Sequence, residues 1–321
     1  AKTINEIADD LGVSPVYVET EVEFLEEYGF LQTQKDKYIV NFIISEPTAE
    51  LLTMQNDMYK RAAELFANDL YDELTFEKSE DQEISLTVGD AELPAGADNL
   101  ICKAAELIRR EKQLTDGVKI TLKKRIPIAA GMAGGSTDAA AVFHAFNELF
   151  GLHMSLREMM ELGVSIGADV PYCIMGGTAL SEGIGEILTP LPAPPACTLL
   201  IAKPQIGIST KYVYEQIDKK PICEHPDIDG MVQAIRDGSL SGITERMGNL
   251  LETVSAKEYP VITRIEEIMK LGGAENALMS GSGPTVFGIY TAKEKAEKAA
   301  EQLRKEQIAD QIFVTGFYNH L

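Results

Sequence analysis

The pattern of apolar and polar positions divides the chain near residue 68. Before that point Ile4, Ile7, Ala8 and Leu11 recur at helical spacing until Gly12 breaks the run. Ser14 and Pro15 suit an N-cap and a first turn, and the helix they open carries Val18, Val22 and Leu25 on one face up to Gly29. Gln32 to Ile44 reads as a β-hairpin with a polar turn at Lys35-Asp36-Lys37. Helix, tight turn, helix and hairpin predict a winged helix-turn-helix-like module. A linking amphipathic helix is expected from Thr48 to Ala67, with Leu51, Leu52, Met58, Ala62 and Leu65 as its buried stripe.

After that point the register changes. Asp69-Leu70-Tyr71-Asp72-Glu73-Leu74-Thr75-Phe76 opens an unbroken succession of strands and helices. Val118 to Leu122 alternates as a β-branched strand, Pro127 to Asp138 is a glycine-rich loop, and an alanine-rich helix follows through Phe143, Phe146 and Leu149. The proline-rich stretch Pro190 to Pro195 is the best internal boundary. The expected division is therefore 1–67 for the module and linking helix, then 68–192 and 193–321 for two α/β domains.

Composition narrows the function. Of 321 residues 45% are hydrophobic and 25% charged, as in a soluble globular protein, and no apolar run approaches the roughly 20 residues that span a bilayer. No signal-peptide pattern is present at the start, so a cytoplasmic protein is expected. Net charge is −21, which opposes a polyanionic partner. The second helix of the module adds to that argument, because Glu19, Glu21, Glu23, Glu26 and Glu27 line it with no basic residue to meet DNA phosphates. Cys102, Cys173, Cys197 and Cys223 form no CxxC pair and read as reduced thiols.

Three strings carry the chemistry. In the first, Pro127 to Thr137, a strand, glycines and a helix start together make a phosphate cradle: backbone amides and the positive helix end face an anion. It is not a Walker loop, since it holds no lysine. The second string is Gly167-Ala168-Asp169-Val170-Pro171, followed by Glu182-Gly183-Ile184-Gly185-Glu186, and the third is Ser280-Gly281-Ser282-Gly283-Pro284 before a Val286-Phe287 strand. Taken singly, an Asp before a Pro is usually a turn former, and a Gly/Ser run before a strand is usually a turn.

Together and in this order the strings resemble the three signatures of the GHMP kinases, and the second resembles the family of diphosphocytidyl-methylerythritol kinases within them. The resemblance covers Asp69 to Leu321. It implies an α+β fold of two domains, the first with a left-handed β-α-β connection and the second ferredoxin-like. It implies ATP and Mg²⁺, with Pro127, Ala129, Ala130, Gly131, Met132, Ala133, Gly134, Gly135, Ser136 and Thr137 around the phosphates and Ser136 at the metal. Asn99 and Leu100 would meet adenine, and Thr210, Gly281, Ser282 and Gly283 would line the substrate, 4-diphosphocytidyl-2-C-methyl-D-erythritol. Asp169 would be the catalytic base for phosphoryl transfer to its 2-hydroxyl. Asn249-Leu250-Leu251-Glu252 resembles a further family string without an implied role. The chain departs from the family ahead of Asp69: the opening Pro-Ala-Lys-Ile-Asn-Leu strand and the Tyr-His pair that holds cytosine have no counterpart, and no histidine precedes His144. The reading from another class is a non-catalytic regulator, a helix-turn-helix head on an ATP-binding remnant.

Overall fold

A computed structural model of the chain describes residues 31–34, 37–40, 71–79, 81–89, 93, 96–128, 130–219 and 225–317. Strands β1 (Leu31–Gln34) and β2 (Lys37–Val40) pair antiparallel, with Gln34 opposite Lys37. The expected hairpin is there, but Lys37 belongs to the second strand and not to the turn. The helices expected before it, and the helix expected from Thr48 to Ala67, lie outside the described residues, as does Ala129.

The first sheet has the order β3-β5-β4, from β3 (Glu73–Ser79), β4 (Ile84–Val88) and β5 (Gly117–Lys123). β3 runs antiparallel to β5, whereas β4 runs parallel to it and reaches it through helix α1 (Leu100–Glu111). A parallel neighbour needs such a crossover, and α1 supplies it: Asn99 caps its start and Arg109 and Arg110 occupy its last turn. Strict alternation along β5 buries Val118, Ile120 and Leu122 and leaves Lys119, Thr121 and Lys123 exposed. Helices α2 (Gly134–Leu149), α3 (Leu156–Gly163) and α4 (Val170–Met175) complete this half. α1 packs on α2, where Ala104, Ala105, Ala139 and Ala140 are buried, and Phe143 and Phe146 fill the space towards Phe76. Each such phenylalanine contributes roughly 1.5–3 kcal/mol by burial. A hairpin of β6 (Thr178–Glu182) and β7 (Ile187–Leu191) follows, and the proline-rich stretch begins inside β7.

The second sheet is built from β8 (Thr198–Lys203), β9 (Asn276–Met279), β10 (Val286–Tyr290) and β11 (Gln311–Thr315), in the order β11-β8-β10-β9 with every pair antiparallel. Between β8 and β9 come α5 (Thr210–Ile217), α6 (Ile228–Arg236), α7 (Leu240–Arg246), α8 (Glu252–Glu258) and α9 (Val261–Leu271). Helix α10 (Lys293–Glu306) joins β10 to β11. Counting β8 as the first strand, the spatial order is fourth, first, third, second, which is the split β-α-β arrangement of a ferredoxin-like fold. Its core is separate, with Leu200, Ile262, Ile265, Met269 and Leu303 at its centre. Among the described residues no helix is long and apolar enough to cross a membrane.

Candidate active site

The glycine-rich loop leads from β5 into α2. Gly131 has φ +70° and Ala133 has φ +52°, so the chain turns through the left-handed region before the helix begins, and α2 carries no side-chain cap. Among the described residues the N–H groups of Gly131 to Ser136 find no backbone or side-chain acceptor. An uncapped helix start preceded by free amides is a positive pocket that an anion can fill. Pro127 and Ala130 are buried beneath it, Met132 and Ala133 are half-buried, and Gly135 is exposed. Thr137 Oγ1 turns back to Ala133 O at 3.1 Å, while the Ser136 hydroxyl is bonded to nothing among the described residues. Ser136 is thus a free hard oxygen at the rim of the amide pocket. That suits Mg²⁺, which takes few protein ligands and completes its shell with phosphates and water.

Asp169 stands at the start of α4, exposed, with no hydrogen bond or ion pair from its carboxylate among the described residues. Tertiary packing brings it to the loop. Cys173, one turn along α4, receives the Thr137 hydroxyl at 3.6 Å. Burial pushes the Cys173 thiol up to about 11, and the charges of Asp169 and Asp138 push it the same way. The first turns of α2 and α4 therefore face each other, with Asp169 on one and Thr137 on the other.

Behind the loop lies a buried ionic cluster that the motif reading missed. Lys124 Nζ bonds Asp72 and, at 2.7 Å, Asp138 Oδ2, and all three side chains are at least 95% buried. Asp72 Oδ1 accepts the amides of Arg125 (2.7 Å) and Ile126 (2.9 Å). Burial raises the Asp138 carboxyl to about 7, against the pull of Lys124 and with a further push from Asp72. One lysine between two carboxylates pins the start of α2 and residues 124–126 to the chain entering β3. The signal was in the alternation: Leu122 points inward, so Lys124 does too, and Asp72 shares the parity of buried Leu74 and Phe76.

The third string closes the site from the second sheet. Ser280 Oγ donates to Gly131 O at 2.7 Å, and a Cβ placed on Gly131 would overlap Ser280 O. Ser282 Oγ and Thr210 Oγ1 are 2.8 Å apart, Thr210 being the first residue of α5. Gly281 and Gly283 have φ +56° and +87°. The structure thus gathers Gly131, Ser280, Ser282 and Thr210 around one point. Leu100 is also at the loop, its Cδ1 lying 3.5 Å from where a Cβ on Gly135 would be. Asn99 spends its Oδ1 on the Ile101 amide as the cap of α1.

A central sheet with an uncapped glycine loop, joined through a serine latch to a ferredoxin-like half, is the architecture of the GHMP kinases. Residues 99–177 match the model of the GHMP kinases N-terminal domain and residues 231–309 that of the GHMP kinases C-terminal domain. A crystal structure of 4-(cytidine 5'-diphospho)-2C-methyl-D-erythritol kinase superposes with a TM-score of 0.64 at 29% identity, covering 76% of this chain and 85% of that one. Homoserine kinase from Cytophaga hutchinsonii shares the fold at 22% identity, with a TM-score of 0.65 and coverage of 77% and 84%. The 4-diphosphocytidyl-2-C-methyl-D-erythritol kinase of Lachnoclostridium phytofermentans is 46% identical over 249 residues, 78% of this chain and 86% of the relative. That of Lachnospira eligens is 47% identical over 246 residues, 77% and 85% of the two chains. The chain belongs to the family of 4-diphosphocytidyl-2-C-methyl-D-erythritol kinases.

Proposed function

We propose that the chain transfers the γ-phosphate of ATP to the 2-hydroxyl of 4-diphosphocytidyl-2-C-methyl-D-erythritol, a step of non-mevalonate isoprenoid synthesis. The observation that carries this reading is the Thr137–Cys173 contact between the first turns of α2 and α4, together with an Asp169 carboxylate and a run of loop amides that have no partner among the described residues. The amides of Gly131 to Ser136 bind the ATP phosphates, and Asn99 and Leu100 lie on the nucleotide side. Thr210, Gly281, Ser282 and Gly283 line the acceptor side, where the Gly281 and Ser282 amides also meet the phosphate being transferred. Asp169 accepts the proton of the 2-hydroxyl as its oxygen attacks the γ-phosphorus, and ADP leaves. Mg²⁺, held by Ser136, supplies positive charge for the phosphate oxygens when bound. Phosphoryl transfer needs little covalent help, so positioning of the reactants supplies much of the acceleration. The kinase body spans 68–192 and 193–321, and it works as a soluble cytoplasmic enzyme without nucleic acid.

ADP release from ATP, with and without the diphosphocytidyl alcohol, tests the reading beside Asp169→Ala. Removing a general base should lower substrate-dependent turnover on the order of 100-fold or more, with ATP affinity nearly unchanged. Undiminished turnover in the variant would remove Asp169 from its role. Substrate-independent ADP release in the wild-type chain would overturn the assigned acceptor.

A further inference from the structure

The string Asn249-Leu250-Leu251-Glu252 has no part in the chemistry above, yet it touches the site from behind. Asn249 Nδ2 donates to Met279 O (2.9 Å) and Gly281 O (2.8 Å), and its Oδ1 accepts the Leu251 amide (3.0 Å). Glu252 Oε2 accepts the Met279 amide at 2.8 Å. Ser255 Oγ donates to Ser282 O at 3.0 Å, with Ser255 buried. Residues 249, 252 and 255 are three apart. Asn249 leads through a turn into α8, with i to i+3 bonds from Glu252 to Asn249 and from Val254 to Leu251, and Glu252 and Ser255 lie on α8 itself. Their side chains therefore share one face. That face takes up the carbonyls of Met279, Gly281 and Ser282, while Ser280 O accepts the Gly283 amide. The amides of Gly281 and Ser282 are left without an acceptor among the described residues. Gly281 lies against Gly131, its Cβ position 3.5 Å from Gly131 O.

We propose that Asn249, Glu252 and Ser255 are positioning residues that hold the 279–283 turn with its carbonyls drawn to Asn249 and Ser255 and its Gly281 and Ser282 amides free for phosphate. With the carbonyls taken from behind, two successive N–H groups form an anion-binding concavity opposite the amides of the glycine-rich loop. The inference rests on the phosphate site proposed above. None of the three residues touches substrate. They act through the turn.

The test compares Glu252→Ala with Glu252→Gln, whose amide oxygen still accepts the Met279 N–H, and adds Asn249→Asp. In that third variant the Leu251 cap is kept, but an acceptor faces two carbonyls. Calorimetric titration with ATP reads the phosphate site, and hydrogen exchange at the Met279 amide reads the turn. Glu252→Ala should weaken ATP about tenfold and expose the Met279 amide, as loss of a hydrogen bond to a charged group predicts. Glu252→Gln should restore both readouts to within about twofold, and Asn249→Asp should weaken ATP at least as much as Glu252→Ala. A purely structural role would shift the melting temperature without the rescue in ATP affinity. Wild-type affinity in Glu252→Ala and Asn249→Asp alike would overturn the proposal, as would a Gln variant no better than Ala. Should the wild-type chain fail to bind ATP, the phosphate reading falls by itself. The Met279 exchange then decides the clamp: protection unchanged between Glu252→Ala and the wild type would overturn it.

Discussion

Two glycine turns meet at Gly131 and Ser280, and they are held from behind in different ways. The loop before α2 is backed by ions: Lys124 between Asp72 and Asp138, all withdrawn from water. The 279–283 turn is backed by two neutral donors, Asn249 and Ser255, and by one carboxylate, Glu252, which accepts the Met279 amide and lies beside Glu266. There Glu252 crowds Glu266, which pairs with Lys270 at 3.9 Å, and burial together with the Glu252 charge raises Glu266 to about 7. Buried ions are costly to leave unpaired, whereas a lost neutral bond costs about 1 kcal/mol. The first backing therefore governs whether this half folds, and the second governs how well the turn is aimed.

The two backings differ most at Lys124. Lys124→Met leaves two carboxylates buried without a cation and should cost about 3–5 kcal/mol, read in denaturant melts at neutral pH. A loss below about 1 kcal/mol would mean that water reaches the cluster. Next comes Gly131→Ala, which strikes the junction itself. The added methyl meets Ser280 O in a left-handed backbone, so strain of about 1–3 kcal/mol is expected. Because the turns must part, ATP affinity should fall along with the melting temperature. Unaltered affinity would show that the two turns act independently.

A separate effect is in pH. Asp138 and Glu266 both hold their proton more tightly folded than unfolded, each raised to about 7. Their contribution to stability is full below the ordinary carboxylate range and is lost as pH rises through about 7. The melting temperature should therefore fall between pH 5 and 8, taken as roughly spanning that range. Asp138→Asn and Glu266→Gln should each flatten part of the fall, and a slope untouched by both would remove these groups as its source.

Much of this was legible in the sequence because the signals are local. Period-two alternation predicts β5, and the same parity sends Lys124 inward, where no glycine motif marks it. The cradle before α2 was readable because glycines, a strand and a helix start are contiguous in the chain. The ferredoxin-like half was reached through family resemblance, and the strand order bears it out. Lys37 was misplaced by a residue because a polar triplet marks a turn but not its length. Asn249 and Glu252 carried no legible role, since their partners lie 27 to 32 residues away.

The sequence alone thus determined the elements, the three strings and the family, since backbone periodicity and turn chemistry act between near neighbours. Only the tertiary structure decided which strings meet. It set Thr137 against Cys173, latched Ser280 to Gly131 across 149 residues, and buried Lys124 between carboxylates 52 and 14 residues away. Those contacts are made by packing of distant segments, where the cost of burying a polar group selects its partner by position in space and not along the chain.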